Sequence, residues 1–407
     1  MRAYERGLAR IWPAAHRLKL GGVLGMAVMT LPGLRLDFWS SGDEAARRKL
    51  HEAALADLPE NWLTRPARAE LLYALGQLAA RLGEPAKAVD YTQQGLLLAQ
   101  KLRRRADIAH FQFRLGWLLC QQGRLEEALT AFRQTLEAWP RYHGAHTWLG
   151  YTFGGLGRYE EALAAFQQAI ELYPDDVGPH LGVGRAYTDM GRHEDAVVAF
   201  QWATEAAPAD VRAWHSLGEA LRRLKRYPEA EAAIRRAVKL DPREPDSYRL
   251  LGDLYASQSQ APQALAAYEQ AVDRQTDPHE KAVLRLREGG AQQRMGRYQA
   301  AIDTYRQASD AWPELMPAYL ETGACLRRLG RGAEAVGPLQ SARQLIAKDD
   351  AYNLACLESV CGNTEAALNW LKTAVEREPH RRSQALADPD FDFIRQAEGF
   401  EGLVGQA

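Results

Sequence analysis

Cysteine is scarce in this chain, with four in 407 residues. Cys120, Cys325, Cys356 and Cys361 form no C-x2-C pair and no dense disulfide pattern. They read as small buried thiols. Cys356 and Cys361 are placed on one helix and its turn, which is poor geometry for a bridge. A strong charge of either sign is also missing, since 51 Lys and Arg face 52 Asp and Glu for a net charge of -1. No global field therefore draws the chain to nucleic acid or to an anionic surface. The basic runs Arg103-Arg104-Arg105 and Arg222-Arg223-Leu-Lys225-Arg226 are too short to define a basic groove, so nucleic acid is not an expected partner.

Catalytic signatures are absent as well. No G-x-x-x-x-G-K-[ST], H-E-x-x-H or G-x-S-x-G occurs. Gly182-Val-Gly184 lacks the third glycine of a nucleotide loop. His143 and His146 stand three residues apart, with no neighbouring acid or cysteine in sequence to complete a metal site. Glu126-Glu127 and Glu160-Glu161 begin predicted helices, where carboxylates favour the positive end of the dipole. The expectation is a protein that is not an enzyme and has no cofactor and no metal.

Long apolar runs are limited to one. Residues 20–34, LGGVLGMAVMTLPGL, carry no charge and follow Arg2, Arg6, Arg10, Arg17 and Lys19, with Glu5 the one acid before them. A basic stretch before an apolar run resembles a signal peptide or signal anchor. The run is short against the roughly 20 residues a spanning helix needs. Lys19 and Arg17 at one end, and Leu36, Phe38 and Trp39 at the other, lengthen it by snorkelling and interfacial anchoring. With no A-x-A site after it, a retained anchor is favoured, placing the N-terminus in the cytoplasm and the remaining chain on the other side. The alternative is a helix of a cytoplasmic cap.

What the sequence has in abundance is a period. Gly116, Gly150, Gly184, Gly218 and Gly252 are spaced by 34 residues, as are Ala128, Ala162, Ala196, Ala230 and Ala264. Pro140, Pro174, Pro208 and Pro242 keep the same step. Such a period marks a repeat architecture. Within one unit, Leu149, Gly150 and Phe153 lie at helical spacing, and Gly154-Gly155-Leu-Gly157 supplies a turn. Ala162, Phe166, Ala169 and Ile170 form an apolar stripe on a second helix, which Pro174 ends. Small Gly150 and Ala162 allow the two helices close approach, while Phe166 fills the space toward the next unit. One helix pair buries too little surface by itself; stacking completes the core.

A 34-residue unit with Leu-Gly in its first helix and Ala-x3-Phe-x2-Ala in its second resembles the tetratricopeptide repeat (TPR). The resemblance implies an all-α fold, a right-handed superhelical solenoid of antiparallel helix pairs. Nine units are expected between residues 69 and 379, the first degenerate. Gly76 to Gly116 spans 40 residues and Gly252 to Gly289 spans 37, so inserts are expected in both steps, the second at Gln275–Lys281. Residues 1–40 form the basic and apolar N-terminus. Residues 41–68 hold a capping helix opened by the S-x-x-E box Ser41–Glu44, with a linker. Residues 380–407 form a C-terminal cap, in which Phe391, Ile394 and Phe400 cover the last pair. Its D-P-D-x-D-x-x-R stretch is similar to a tail that often follows the last repeat in this family.

In the family, first helices line a concave groove that binds protein segments. Carried over to this chain, the groove presents Phe113, Trp117, Tyr151, Arg185, His215, Arg222 and Arg223. The asparagine that clamps a terminal carboxylate in chaperone-binding members is absent; its slot holds Gln77, Trp117, Tyr151, Arg185 and Glu219 in successive units. The expected function is a non-catalytic scaffold or adaptor for a segment with an apolar anchor followed by acidic residues. With an anchor at residues 20–34, the setting is assembly or quality control of a membrane or envelope complex. The alternatives are a soluble cytosolic regulatory adaptor and a non-catalytic subunit of an enzyme complex.

Overall fold

The computed structural model describes residues 44–58 and 65–405. The expected anchor at residues 20–34 and Ser41 of the capping box lie outside these. Among the described residues there are 21 α-helices, one 3-10 helix and no strand. No described helix is long and apolar enough to cross a membrane.

The first described helix, α1 (Glu44–Asp57), is followed by nine antiparallel pairs. These are α2/α3 (Arg65–Arg81, Pro85–Lys101), α4/α5 (Arg105–Gln121, Leu125–Ala138), α6/α7 (Ala145–Gly155, Tyr159–Leu172) and α8/α9 (Val177–Asp189, His193–Ala206). Then come α10/α11 (Val211–Arg223, Tyr227–Leu240), α12/α13 (Pro245–Ser257, Ala261–Arg274) and α14/α15 (Pro278–Arg294, Tyr298–Ala311). The last are α16/α17 (Met316–Arg328, Gly332–Leu345) and α18/α19 (Ala351–Cys361, Thr364–Arg377). Helix α20 (Arg381–Ala387), the 3-10 turn Pro389–Phe393 and α21 (Phe400–Val404) close the chain. The chain divides after Pro208 into two compact units.

Both register slips are absorbed as helix. Helix α14 runs 17 residues against 13 in α12, so the extra residues of the 37-residue step lengthen its N-terminal end. Asp277 caps that end, its carboxylate accepting from the His279 and Glu280 amides, both at 2.9 Å. In the 40-residue step, α3 and α4 each run 17 residues, against 14 in α5 and 11 in α6.

The turn inside each pair closes on one residue in the left-handed region. In the third pair that residue is Gly157, at φ 73°, and the Arg158 amide returns to Phe153 O at 2.9 Å. Gly154 and Gly155, expected in the turn, belong to α6. The fifth and sixth pairs have no glycine here: Lys225 and Ser259 take φ 58° themselves. A side chain in that region costs about 1–2 kcal/mol. Lys225→Gly relieves this but adds about 0.4–1 kcal/mol of unfolded-state entropy. The expected result is a net gain of about 0.5–1 kcal/mol, measured as a higher thermal midpoint. A lower midpoint would contradict this turn geometry.

In the first unit, pairs are held by rings seated on glycine. A Cβ built on Gly150 would stand 2.5 Å from the Phe166 ring, and one on Gly182 of the next pair 2.3 Å from it. Phe166 is 2% exposed and meets both helices because neither carries a side chain there. Ala162, at 0% exposure, gives the close approach expected of it. Ala54 and Leu55 of α1, with Leu58 just after it, pack on Ala67 and Leu71 of the first pair. The carbonyls at and just past the C-terminal end of α1, Leu55 O and Leu58 O, accept from Arg68 Nη1 at 2.9 and 2.7 Å.

In the second unit one core runs from Ile302 and Tyr305 through Leu326, Leu357 and Leu371 to Phe391, Ile394, Phe400 and Val404. Burying three such large cap side chains contributes about 1.5–3 kcal/mol each by area. Polar anchors fix the tail across the first helices. Ser359 Oγ donates to Asp390 O at 2.6 Å, and Arg328 Nη2 to Pro389 O at 2.7 Å.

Candidate functional site

Two first helices of the first unit, α2 and α4, frame a hollow of about 330 Å³. Gln77, Ala80 and Arg81 line it from α2, Arg114 and Trp117 from α4. Gln77 and Arg81 are four residues apart, and Arg114 and Trp117 three, so each pair shares one helix face. Trp117 is half-buried and leans on Ala79, Ala88, Val89 and Leu118.

The Arg114 guanidinium lies over the Trp117 ring, 4.6 Å from its centroid, where the aromatic face attracts a cation. Its Nε is buried with no hydrogen-bond partner, and no carboxylate pairs with it among the described residues. Burial lowers the Arg114 pKa, Tyr73 partly offsets this, and the neighbouring Arg81 charge adds to the lowering. The group stays protonated at any physiological pH. Arg81 pairs with Glu44 at 3.1 Å, an exposed pair of little net strength. The hollow thus offers a flat aromatic wall, a half-desolvated cation and a second cation at its edge.

The groove residues expected from sequence are engaged to differing degrees. Phe113 packs on Tyr142, 4.9 Å between centroids, and on Phe132 at 5.7 Å. Tyr151 stands edge-on to Phe166 at 5.1 Å, and its hydroxyl donates to Gly178 O at 2.7 Å. Arg185 is exposed and pairs with no acid among the described residues. In the second unit, His215 Nε2 and Ser247 Oγ share a 2.7 Å hydrogen bond, and burial lowers the His215 pKa. Arg222 donates twice to Glu219, at 2.8 and 2.7 Å, and once to Ser257 at 2.9 Å. Arg223 reaches Glu219 as well, at 3.0 Å. Arg222 and Arg223 therefore share one carboxylate, whereas Arg114 has none.

Arg114 and Arg81 were not among the residues expected in the groove. A signal for Arg114 exists: it stands one helical turn from Trp117, with no acid at i±3 or i±4 to neutralise it. All four cysteines are free thiols, Cys325 and Cys356 buried and Cys120 and Cys361 half-buried.

A family model described as tetratricopeptide repeat matches residues 113–177, 181–245 and 286–350, and a second of that description matches residues 67–141. Together they span more than half of the chain. The chain belongs to the tetratricopeptide repeat family. TPR proteins act as protein-interaction scaffolds that bind protein or peptide partners. Among solved structures, the chain is similar to a thermophilic TPR protein from Thermus thermophilus, at 26% identity over 45% of this chain and 98% of that one, with TM-score 0.39. It is also similar to a TPR protein from Parabacteroides merdae, at 17% identity over 63% of this chain and 98% of that one, with TM-score 0.48. A third is YrrB, a TPR protein with an unusual peptide-binding site, at 21% identity over 47% of this chain and 96% of that one, with TM-score 0.36. No curated protein matches the chain.

Proposed function

We propose that this TPR protein is a non-catalytic scaffold whose first unit takes a protein segment at the Arg114–Trp117 hollow. The carrying observation is Arg114, a half-buried cation on an aromatic face with no acidic partner among the described residues. A carboxylate from a bound segment supplies the missing charge-assisted bonds. An apolar side chain beside that carboxylate covers Trp117. The second unit gives a chemical precedent within the chain. There Arg328 holds the chain's own Asp-Pro-Asp-Phe-Asp-Phe stretch, donating to Pro389 O with its guanidinium 5.1 Å from the Phe393 ring. An acidic segment with an aromatic or aliphatic anchor is thus chemically suited to arginines on first helices.

The test is fluorescence anisotropy with labelled peptides carrying one Leu or Phe beside two Asp residues, against the same peptides with Asn. Preference for the acidic peptides is expected, weakening with salt. Equal binding of both sets would remove the basis for this reading.

We also propose that residues 20–34 tether the scaffold to a membrane, which places its work in assembly or quality control of a membrane or envelope complex. The basic stretch before the apolar run supports this. Full-length protein is then expected to sediment with membranes through high-salt washing, and a chain starting at residue 41 to stay in the supernatant. Full-length chain of unprocessed mass found wholly in the supernatant would end the tether proposal.

A further inference from the structure

Where the C-terminal tail crosses α18, three ligand-type groups meet. Cys356 Sγ, an Asp388 carboxylate oxygen and an Asp390 carboxylate oxygen all lie within 4.8 Å of one another. Cys356 is 2% exposed and Asp390 4%, while Asp388 is half-buried and forms the rim. Asp388 is held firmly in place. Its Oδ1 accepts from the Asp390 amide at 3.0 Å and its Oδ2 from the Tyr352 hydroxyl at 3.0 Å. The Cys356 thiol faces that same Oδ2 at 3.8 Å.

Asp390 is the anomaly. Its Oδ1 is buried and has no hydrogen-bond partner. An unpaired buried carboxylate oxygen is costly, and native structures rarely keep one without a partner. No basic side chain lies within ion-pair distance of Asp388 or Asp390 among the described residues. The nearby arginines are engaged elsewhere: Arg328 with Pro389 O and, at 3.6 Å, Asp392, Arg395 with Leu386 O and the Asp388 backbone oxygen at 3.2 Å, and Arg381 over the Tyr352 ring. Glu321 on α16 is a further acid close to Asp390, and burial raises the pKa of both. The cluster therefore concentrates acid, with no cation paired directly to the carboxylates of Asp388 or Asp390 among the described residues.

We propose that Cys356, Asp388 and Asp390 bind a divalent transition-metal ion that accepts sulfur, with zinc as the representative. A thiol beside two carboxylates disfavours magnesium and calcium, which take all-oxygen sets. Zinc accepts sulfur and carboxylate oxygen together, with ligand atoms spaced about 3.5 Å apart in a tetrahedron, a modest contraction of the spacing seen. Tyr352 is the outer-shell group that orients Asp388. The ion ties the tail to the last pair, joining α18 to residues more than 30 positions later. It lies in the C-terminal cap of the second unit, and its existence does not depend on partner binding at the Arg114–Trp117 hollow.

The experiment uses the full chain, freed of metal and titrated with zinc against a chromophoric chelator. One tightly held ion per chain is expected. Tyr352→Phe should weaken it about 10–100-fold, as outer-shell partners do, and Cys356→Ser and Asp390→Asn by more than that. Cobalt loading reads the sulfur directly, through a near-ultraviolet thiolate-to-cobalt absorption that Cys356→Ser abolishes. Asp390→Asn removes charge from an acid-rich cluster and is expected to fold, so it serves if Cys356→Ser does not. Failure of the wild-type chain to hold zinc would overturn the proposal. So would a cobalt–thiolate band that survives in folded Cys356→Ser, or zinc affinity unchanged in folded Asp390→Asn.

Discussion

Gly184→Leu is expected to lower stability by about 3 kcal/mol, the upper end of overpacking costs. A Cβ at residue 184 would stand 2.4, 2.6 and 2.7 Å from Cε1, Cδ1 and Cζ of Phe200, contacts no real Cβ makes. The Phe200 ring has no room to retreat, since it is 6% exposed with Ala196 and Ala203 at 0% along the same helix. Leucine then adds three more carbons to a site that rejects the first. In a chain of stacked repeats the loss passes to adjoining pairs through their shared interfaces. The thermal midpoint is expected to fall by about 6–12 °C. Gly154→Ala is the control: nothing lies within 4 Å of its Cβ, so helix propensity predicts no loss and a gain of up to about 1 kcal/mol. Matching melting curves for wild type and Gly184→Leu would refute the seat of Phe200 on Gly184.

Trp117→Ala is expected to weaken partner binding by about 2 kcal/mol or more if its ring is the anchor of the hollow. The side chain also leans on Ala79, Ala88, Val89 and Leu118, so a stability loss must accompany the change. Binding has therefore to be measured per folded molecule. Arg114→Gln separates the two roles. It keeps the stem and a hydrogen-bonding end but removes the charge, and relieving a half-buried cation should leave the melting point unchanged or higher. Loss of acidic-peptide binding in Arg114→Gln without loss of stability would assign the charge to recognition. Unchanged binding in that variant would mean that Arg114 is packing alone. By contrast Arg222→Glu, whose native guanidinium already holds Glu219, should lose its own local pair of bonds before it alters recognition.

The sequence was most informative where the physics is local and repeated. Leu-Gly in one helix and Ala-x3-Phe in the next recur because every pair meets the same packing problem. The cap rings Phe391 and Phe400, with Ile394 between them, were legible for the same reason, as apolar groups following the last open pair. Local reading failed where identical residues serve different ends. Gly154 and Gly157 look alike in the sequence, yet one is an open helix position and the other takes φ 73°. The insertion at Gln275–Lys281 was legible, but that much of it extends α14, with Asp277 capping the added turn, was not.

By itself, then, the sequence determined the helix pairs, their order, the small residues on which rings sit and the family. These follow from side-chain volume and spacing within a few turns of helix. Tertiary structure alone decided which arginines keep free charge and which spend it. It left Arg114 over Trp117 without an acid among the described residues, while Arg222 and Arg223 share Glu219. It also brought Asp390 to Cys356 with an oxygen unpaired. Those outcomes depend on how a chain of stacked pairs returns distant residues to one place, and long polar side chains choose partners only after the stack is built.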